Sequence, residues 1–175
     1  MKYIYLENWL REKKLSSLNH STKVAVIDNE SLTKRLSKKK DNSFRVTLKE
    51  QCLVHSKKLS HLHNRMYVSE MGIYRSVRLE AKNFKNIYAE SFFPIRSIKG
   101  RERYIKILGS KSLGSYLLNA KRFKKSDIFY SIDRDMVHRL IIYRNKSGVI
   151  YVDEIFPKDF TNESINLFQA RRKRR

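Results

Sequence analysis

Hydrophobic positions change their period along this chain, and the changes mark its elements. Tyr3, Ile4, Leu6, Trp9 and Leu10 recur at helical spacing, which predicts a helix over 3–13. Leu32 and Leu36 repeat that spacing behind the capping candidates Asn29 and Ser31. The period then falls to two. From Phe44 to Val54 the even positions read Phe44, Val46, Leu48, Glu50, Cys52 and Val54, a half-buried strand that carries Glu50 on its apolar face. A second strand is expected at 71–81, with Ile73, Arg75, Val77 and Leu79 on one side and Tyr74, Ser76, Arg78 and Glu80 on the other. A third runs over 86–93 and stops at Pro94. Helices are expected at 96–108 and 112–120, around Leu108-Gly109-Ser110-Lys111, and strands at 128–132, 138–144 and 149–156. The last two form a hairpin through Asn145-Lys146-Ser147-Gly148.

This order lacks the regular strand–helix alternation of parallel sheets. It predicts an α+β fold with a mostly antiparallel sheet. No internal repeat or linker is visible. The predicted layout is an N-terminal helical extension over 1–23, one domain over 24–160 and a basic tail over 161–175.

Composition narrows the classes. With 41% apolar and 11% aromatic residues in 175, the chain can bury a core and is not a disordered basic tail. The densest apolar runs, Val24-Ala25-Val26-Ile27 and Leu140-Ile141-Ile142-Tyr143, are strand-sized, which excludes a membrane-spanning helix. Glu7 and Arg11 fall where a secretory signal needs apolar residues, and the single Cys52 fits a reducing compartment.

Charge is the unusual number. Thirty-nine Lys and Arg against seventeen Asp and Glu give +22, which predicts attraction to polyanions. The chain is also rich in Lys, Ile, Asn and Tyr, with only five Gly and two Pro, the bias expected of an AT-rich genome, whose drift is then expected to account for part of the charge. Lys121-Arg122-Phe123-Lys124-Lys125 and the Arg-rich C-terminus read mainly as solvated faces, with non-specific nucleic-acid binding as a side property. No RNP, zinc-knuckle or helix-turn-helix signature accompanies them. His61 and His63 have metal-pair spacing, but no acidic cluster or second cysteine supports a metal site, and none is expected.

Two charges stand out by their neighbours. Arg75 shares a strand face with Ile73, Val77 and Leu79, and Glu154 shares one with Ile150, Val152 and Phe156. A buried charge costs several kcal/mol unless it is paired or liganded. An inward Arg and an inward Glu on separate strands therefore predict a polar pocket in an apolar wall. The alternative is that Arg75 simply pairs with Glu50, Glu90 or Glu154. Arg139 is a candidate for a second carboxylate contact, although a surface ion pair is the more frequent outcome for such a residue.

At these residues the chain resembles the chorismate lyase-like family. Asp28-Asn29-Glu30-Ser31-Leu32-Thr33-Lys34-Arg35-Leu36 is similar to its opening signature. In family order follow Tyr74-Arg75-Ser76-Val77-Arg78-Leu79, Tyr88-Ala89-Glu90-Ser91-Phe92-Phe93-Pro94, Leu108-Gly109 with Ser112-Leu113-Gly114-Ser115-Tyr116-Leu117-Leu118, and Asp153-Glu154-Ile155-Phe156-Pro157. The likeness extends over residues 24–160. Glu90 and Ser112 depart from the enterobacterial branch, which has Arg and Pro there, and Glu30 stands where Gly is common. The Ala-Glu-Ser and Glu-Ile-Phe-Pro forms resemble the branch with mycobacterial-type and plastid-encoded members.

The resemblance implies a six-stranded antiparallel sheet with helices closing an interior ligand pocket. It implies cofactor-free conversion of chorismate to 4-hydroxybenzoate and pyruvate. By family position Arg75 binds the ring carboxylate, Glu154 meets the hydroxyl end of the ring as base or as orienting group, and Leu32 and Leu113 line the ligand, partly through backbone groups. The expected partner is a small aromatic carboxylate, chorismate or 4-hydroxybenzoate, bound by a monomer. A plastid-encoded protein is expected from the branch and the codon bias, with the cytoplasm as the other location. Two further classes are a non-catalytic aromatic-acid-binding domain of the same fold and a basic RNA-associated protein.

Overall fold

Six strands with alternating apolar faces need cover on both sides; short helical pieces supply it on one, and Leu59, Met66 and Val68 pack on the other. The computed structural model describes residues 15–28, 32–37, 43–59, 66, 68–82, 84–119, 123–146 and 148–159. The expected helix at 3–13, the capping candidates Asn29 and Ser31, His61, His63, Lys121, Arg122 and the tail lie outside the described residues. The strands are β1 (Arg45–His55), β2 (Met71–Glu80), β3 (Ile87–Pro94), β4 (Lys124–Ile132), β5 (Met136–Asn145) and β6 (Gly148–Pro157). They form one sheet in the order β1-β2-β3-β6-β5-β4, and every neighbouring pair is antiparallel. With the α-helices α1 (His20–Ile27), α2 (Leu32–Leu36) and α3 (Leu113–Asn119), the class is α+β as expected. No helix among the described residues is long and apolar enough to cross a membrane.

The sheet is two three-stranded meanders joined through β3 and β6, and its order reads the same from either edge. Each meander follows a short helix, α2 before β1 and α3 before β4. This internal symmetry of topology is not visible as a sequence repeat. Each edge strand also carries a bulge: pairing shifts between Leu48 and Glu50 in β1 and between Lys125 and Asp127 in β4.

A bulge inverts the inside–outside alternation of everything beyond it. Phe44, Val46 and Leu48 therefore pack toward α1 and α2 with Val77 and Leu79, whereas Cys52 and Val54 pack on the opposite face with Tyr74 and Phe92. Glu50 pairs with Ser76, shares the Cys52 side and is exposed, so the expectation that residues 44–54 present one apolar face with Glu50 on it is corrected. The hairpin between β5 and β6 forms as predicted, with the Gly148 amide donating to Asn145 Oδ1 at 2.8 Å.

Two helical expectations change. Val24–Ile27, strand-like in composition, lies in α1, where Asn19 caps the helix by accepting from the Thr22 amide at 2.8 Å. The Asn19 side chain also donates to Lys158 O at 2.8 Å and so ties α1 to the end of β6. Residues 96–108 do not form an α-helix. Gly100 at φ +58 breaks the segment into 3₁₀ turns at Ile95–Ser97 and Gly100–Ile107.

Candidate functional site

Three of the four residues singled out in the sequence converge on one cavity. It lies on the helix side of the sheet, measures about 40 Å³, and is lined by Arg75, Leu113 and Glu154. Ser91 from β3, Lys125 from β4, Tyr143 from β5, Thr33 from α2 and Ser112 beside α3 add polar groups, with Val77, Leu79, Ile141, Val152 and Leu117 in the wall. Leu32 lies elsewhere: it packs into the core under α1 with Val77 and Leu79, while its neighbour Thr33 reaches the cavity.

Alternation without a bulge carries Arg75 inward from β2, where it is 1% exposed. None of Glu50, Glu90 and Glu154 pairs with it. Its guanidinium donates through one Nη to Gly109 O at 2.8 Å and Lys111 O at 2.9 Å, and its buried Nε has no hydrogen-bond partner. Gly109 turns that loop at φ +54, a left-handed conformation that L side chains rarely adopt. Burial pulls the Arg75 pKa down to about 10, which leaves it a cation at neutral pH. Opposite Arg75 across β2–β3 stands Ser91, not an acid.

Glu154 has a partner already. Its Oε2 accepts from Arg139 Nε at 2.6 Å, and Arg139 Nη2 makes a second contact with the same oxygen. Arg139 is 2% exposed, donates also to the carbonyl oxygens of Val26 and Asp28, and lies over the Phe156 ring. The surface ion pair expected for Arg139 is thus corrected. The residue sits inside β5, one strand from β6, and the inward alternation of both strands buries the pair.

Sequence reasoning missed Lys125 and Tyr143. Lys125 looked like part of a solvated basic run, but β4 starts at Lys124 and pairs Lys125 with Tyr143, which turns both toward the cavity. Burial, then Arg139, lowers the Lys125 pKa against the opposing pull of Glu154 and Asp28. Burial and then Glu154 raise that of Tyr143. The signal that marks Lys125 is its two-residue spacing from buried Phe123, readable only once the strand is started four residues earlier than its apolar run.

His138 lies inside β5 on the opposite face, with Nδ1 2.7 Å from Oδ2 of the buried Asp153. Among the described residues no group of three or more His, Cys, Asp or Glu is placed to hold a metal ion. Cys52 is a free, half-buried thiol packed against the core on this face.

The chorismate lyase family model matches residues 6–158. The chain therefore belongs to the chorismate lyase family. No curated protein matches it.

Proposed function

We propose that this protein is a chorismate pyruvate-lyase, converting chorismate to 4-hydroxybenzoate and pyruvate without a cofactor. The observation that carries this reading is Arg75: a buried guanidinium that lines a cavity and has carbonyl partners but no carboxylate. A cation held so far from water is stabilised by an incoming carboxylate, and a planar guanidinium suits that group better than an ammonium does. The ring carboxylate takes that place. Glu154, fixed by Arg139, meets the hydroxyl end of the ring.

The reaction balances within the substrate. The ring C4–H bond breaks and its electron pair forms the new ring double bond. The neighbouring carbon–oxygen bond breaks and the enolpyruvyl oxygen leaves with its electrons. Protonation of the released enol gives pyruvate. Aromatisation drives the step, so the protein has to position the dianion and exclude water. Helices α2 and α3, which pack on one another and contribute Thr33, Leu113 and Leu117 to the lining, close the pocket. At about 40 Å³ the cavity is too tight for a ring; an engineered cavity of roughly 150 Å³ is what accommodates benzene. Chorismate entry therefore moves α2 and α3 apart.

The test is purified protein with chorismate, following both products, with Arg75→Ala and Glu154→Ala beside it. Equal amounts of 4-hydroxybenzoate and pyruvate, lost in both variants, are expected. A folded wild type that binds 4-hydroxybenzoate and releases no pyruvate is instead a binding module.

A further inference from the structure

The large apolar side chains left exposed are gathered at one end of the sheet. Among the described residues they are Leu53, Met71, Ile95 and Ile107, at 63, 41, 40 and 73% exposure. Met71 opens β2 and pairs with His55, which closes β1; Gly72 beside it pairs with Pro94, and Ile95 follows. Leu53 pairs with Ile73 on the face that Met71 shares by alternation. Ile107 is brought to the same place by Gln51, whose Nε2 donates to Lys106 O at 2.7 Å. Exposed aliphatic side chains gathered in this way mark an interaction surface, whereas single scattered ones do not.

The same end is basic. Lys57 and Lys58, both exposed, lie in the 3₁₀ turn that follows β1. Residues 95–107 carry five Lys and Arg against one acid, Glu102, and Arg96 pairs with Glu70 at 2.7 Å. Lys124 and Arg144, a cross-strand pair, add two cations where β4 starts and β5 ends. The other end of the sheet is different. Its turn Asp133-Arg134-Asp135 and the step Lys158-Asp159 hold three acids against two bases. Positive charge and exposed hydrocarbon therefore coincide at one end of the molecule.

Nucleic acid would answer the charge but not the hydrocarbon, since bases stack on aromatic rings and these four side chains are aliphatic. An anionic bilayer answers both: its headgroups attract the cations, and the boundary with the acyl chains receives the aliphatic groups. We propose that this end of the sheet docks the protein on an anionic lipid surface, with Leu53 and Ile107 entering the headgroup–acyl boundary. Such docking is peripheral, requires no spanning helix and does not depend on the lyase reading.

The full chain is titrated with vesicles of phosphatidylcholine alone, with vesicles of an equimolar mixture with phosphatidylglycerol, and with a single-stranded oligonucleotide. Wild type is expected to bind the mixed vesicles at least about tenfold tighter than the neutral ones. Leu53→Ser with Ile107→Ser is expected to weaken binding to the mixed vesicles about tenfold and to leave oligonucleotide affinity within about twofold. Lys57→Gln with Lys99→Gln is expected to weaken vesicle binding about 25-fold, near fivefold for each cation. Arg45→Gln with Arg134→Gln removes the same charge from the other end and is expected to change it by less than about twofold. Melting curves check each fold, and the single substitutions stand in for a pair that does not fold. An equal loss for vesicles and oligonucleotide in the serine variant would make this a nucleic-acid surface and overturn the proposal. So would equal losses from the two glutamine pairs, a serine variant that binds vesicles like wild type, or a wild type indifferent to phosphatidylglycerol.

Discussion

The two halves of the sheet place a buried arginine on their middle strands, Arg75 on β2 and Arg139 on β5, and use them in opposite ways. Across the ladder from Arg139 stands Glu154; across from Arg75 stands Ser91. One residue on the inner strand of each half therefore decides whether the guanidinium faces an acid across the ladder or does not. The second half holds an ion pair that fixes Glu154, while the first holds a charge stabilised only by the carbonyl oxygens of Gly109 and Lys111. Similar backbone positions thus give one cation neutralised by an acid and one held by carbonyl oxygens, the one we propose as the ligand's partner.

The largest expected effect breaks the structural half. Arg139→Met leaves the half-buried Glu154 without its partner and empties a buried position, and is expected to cost about 3 kcal/mol in urea unfolding. Arg75→Met removes a charge that has no acid to orphan and is expected to change stability by less than about 1 kcal/mol. If the two variants unfold alike, the contrast between the halves is wrong.

Next in size is a change that makes the halves alike. Ser91→Glu puts a carboxylate opposite Arg75, and 4-hydroxybenzoate affinity is expected to fall about 100-fold without loss of stability, since an internal acid then competes with the ligand. Calorimetric titration beside a melting curve measures both. Unchanged affinity would mean that Arg75 does not hold the ligand's carboxylate.

Gly109→Ala tests the loop that grips Arg75. Space for a Cβ is open there, so the cost is that of the positive φ alone, about 1–2 kcal/mol. Chemical unfolding of the variant reads it; a neutral result would show that the loop turns without that conformation.

The smallest effect lies on the face away from the cavity. Burial, the largest influence, lowers the His138 pKa, but the charge and hydrogen bond of Asp153, with Glu90 and Asp133, raise it above 6.5 overall. A raised folded pKa stabilises fully below 6.5 and loses that contribution as pH climbs through the higher value. Wild-type stability is expected to decline over that window, and His138→Gln to flatten the decline. A decline that persists in the variant assigns it to another group.

Strands and antiparallel order were legible because alternation is a local property of the chain, and β2 and β6 run without a bulge through Arg75 and Glu154. What was hidden depends on pairing. The shifts after Leu48 and Lys125 invert faces, so Cys52 went to the far side and Glu50 left the apolar face. Lys125 was masked by lying among basic neighbours at the start of a strand whose apolar run begins later. Arg139 was visible, but its burial follows from Glu154 facing it across β5–β6, a relation between residues fifteen apart in sequence. Gly100 could have flagged the broken helix at 96–108, since a positive φ ends an α-helical run.

The most direct measurement is calorimetric titration of 4-hydroxybenzoate into wild type and Arg75→Met at matched, folded concentrations. A variant that melts like wild type and has lost about 100-fold in affinity is the predicted result. A variant that binds like wild type, or that fails to fold, would contradict the claim that Arg75 is held in this fold for a ligand.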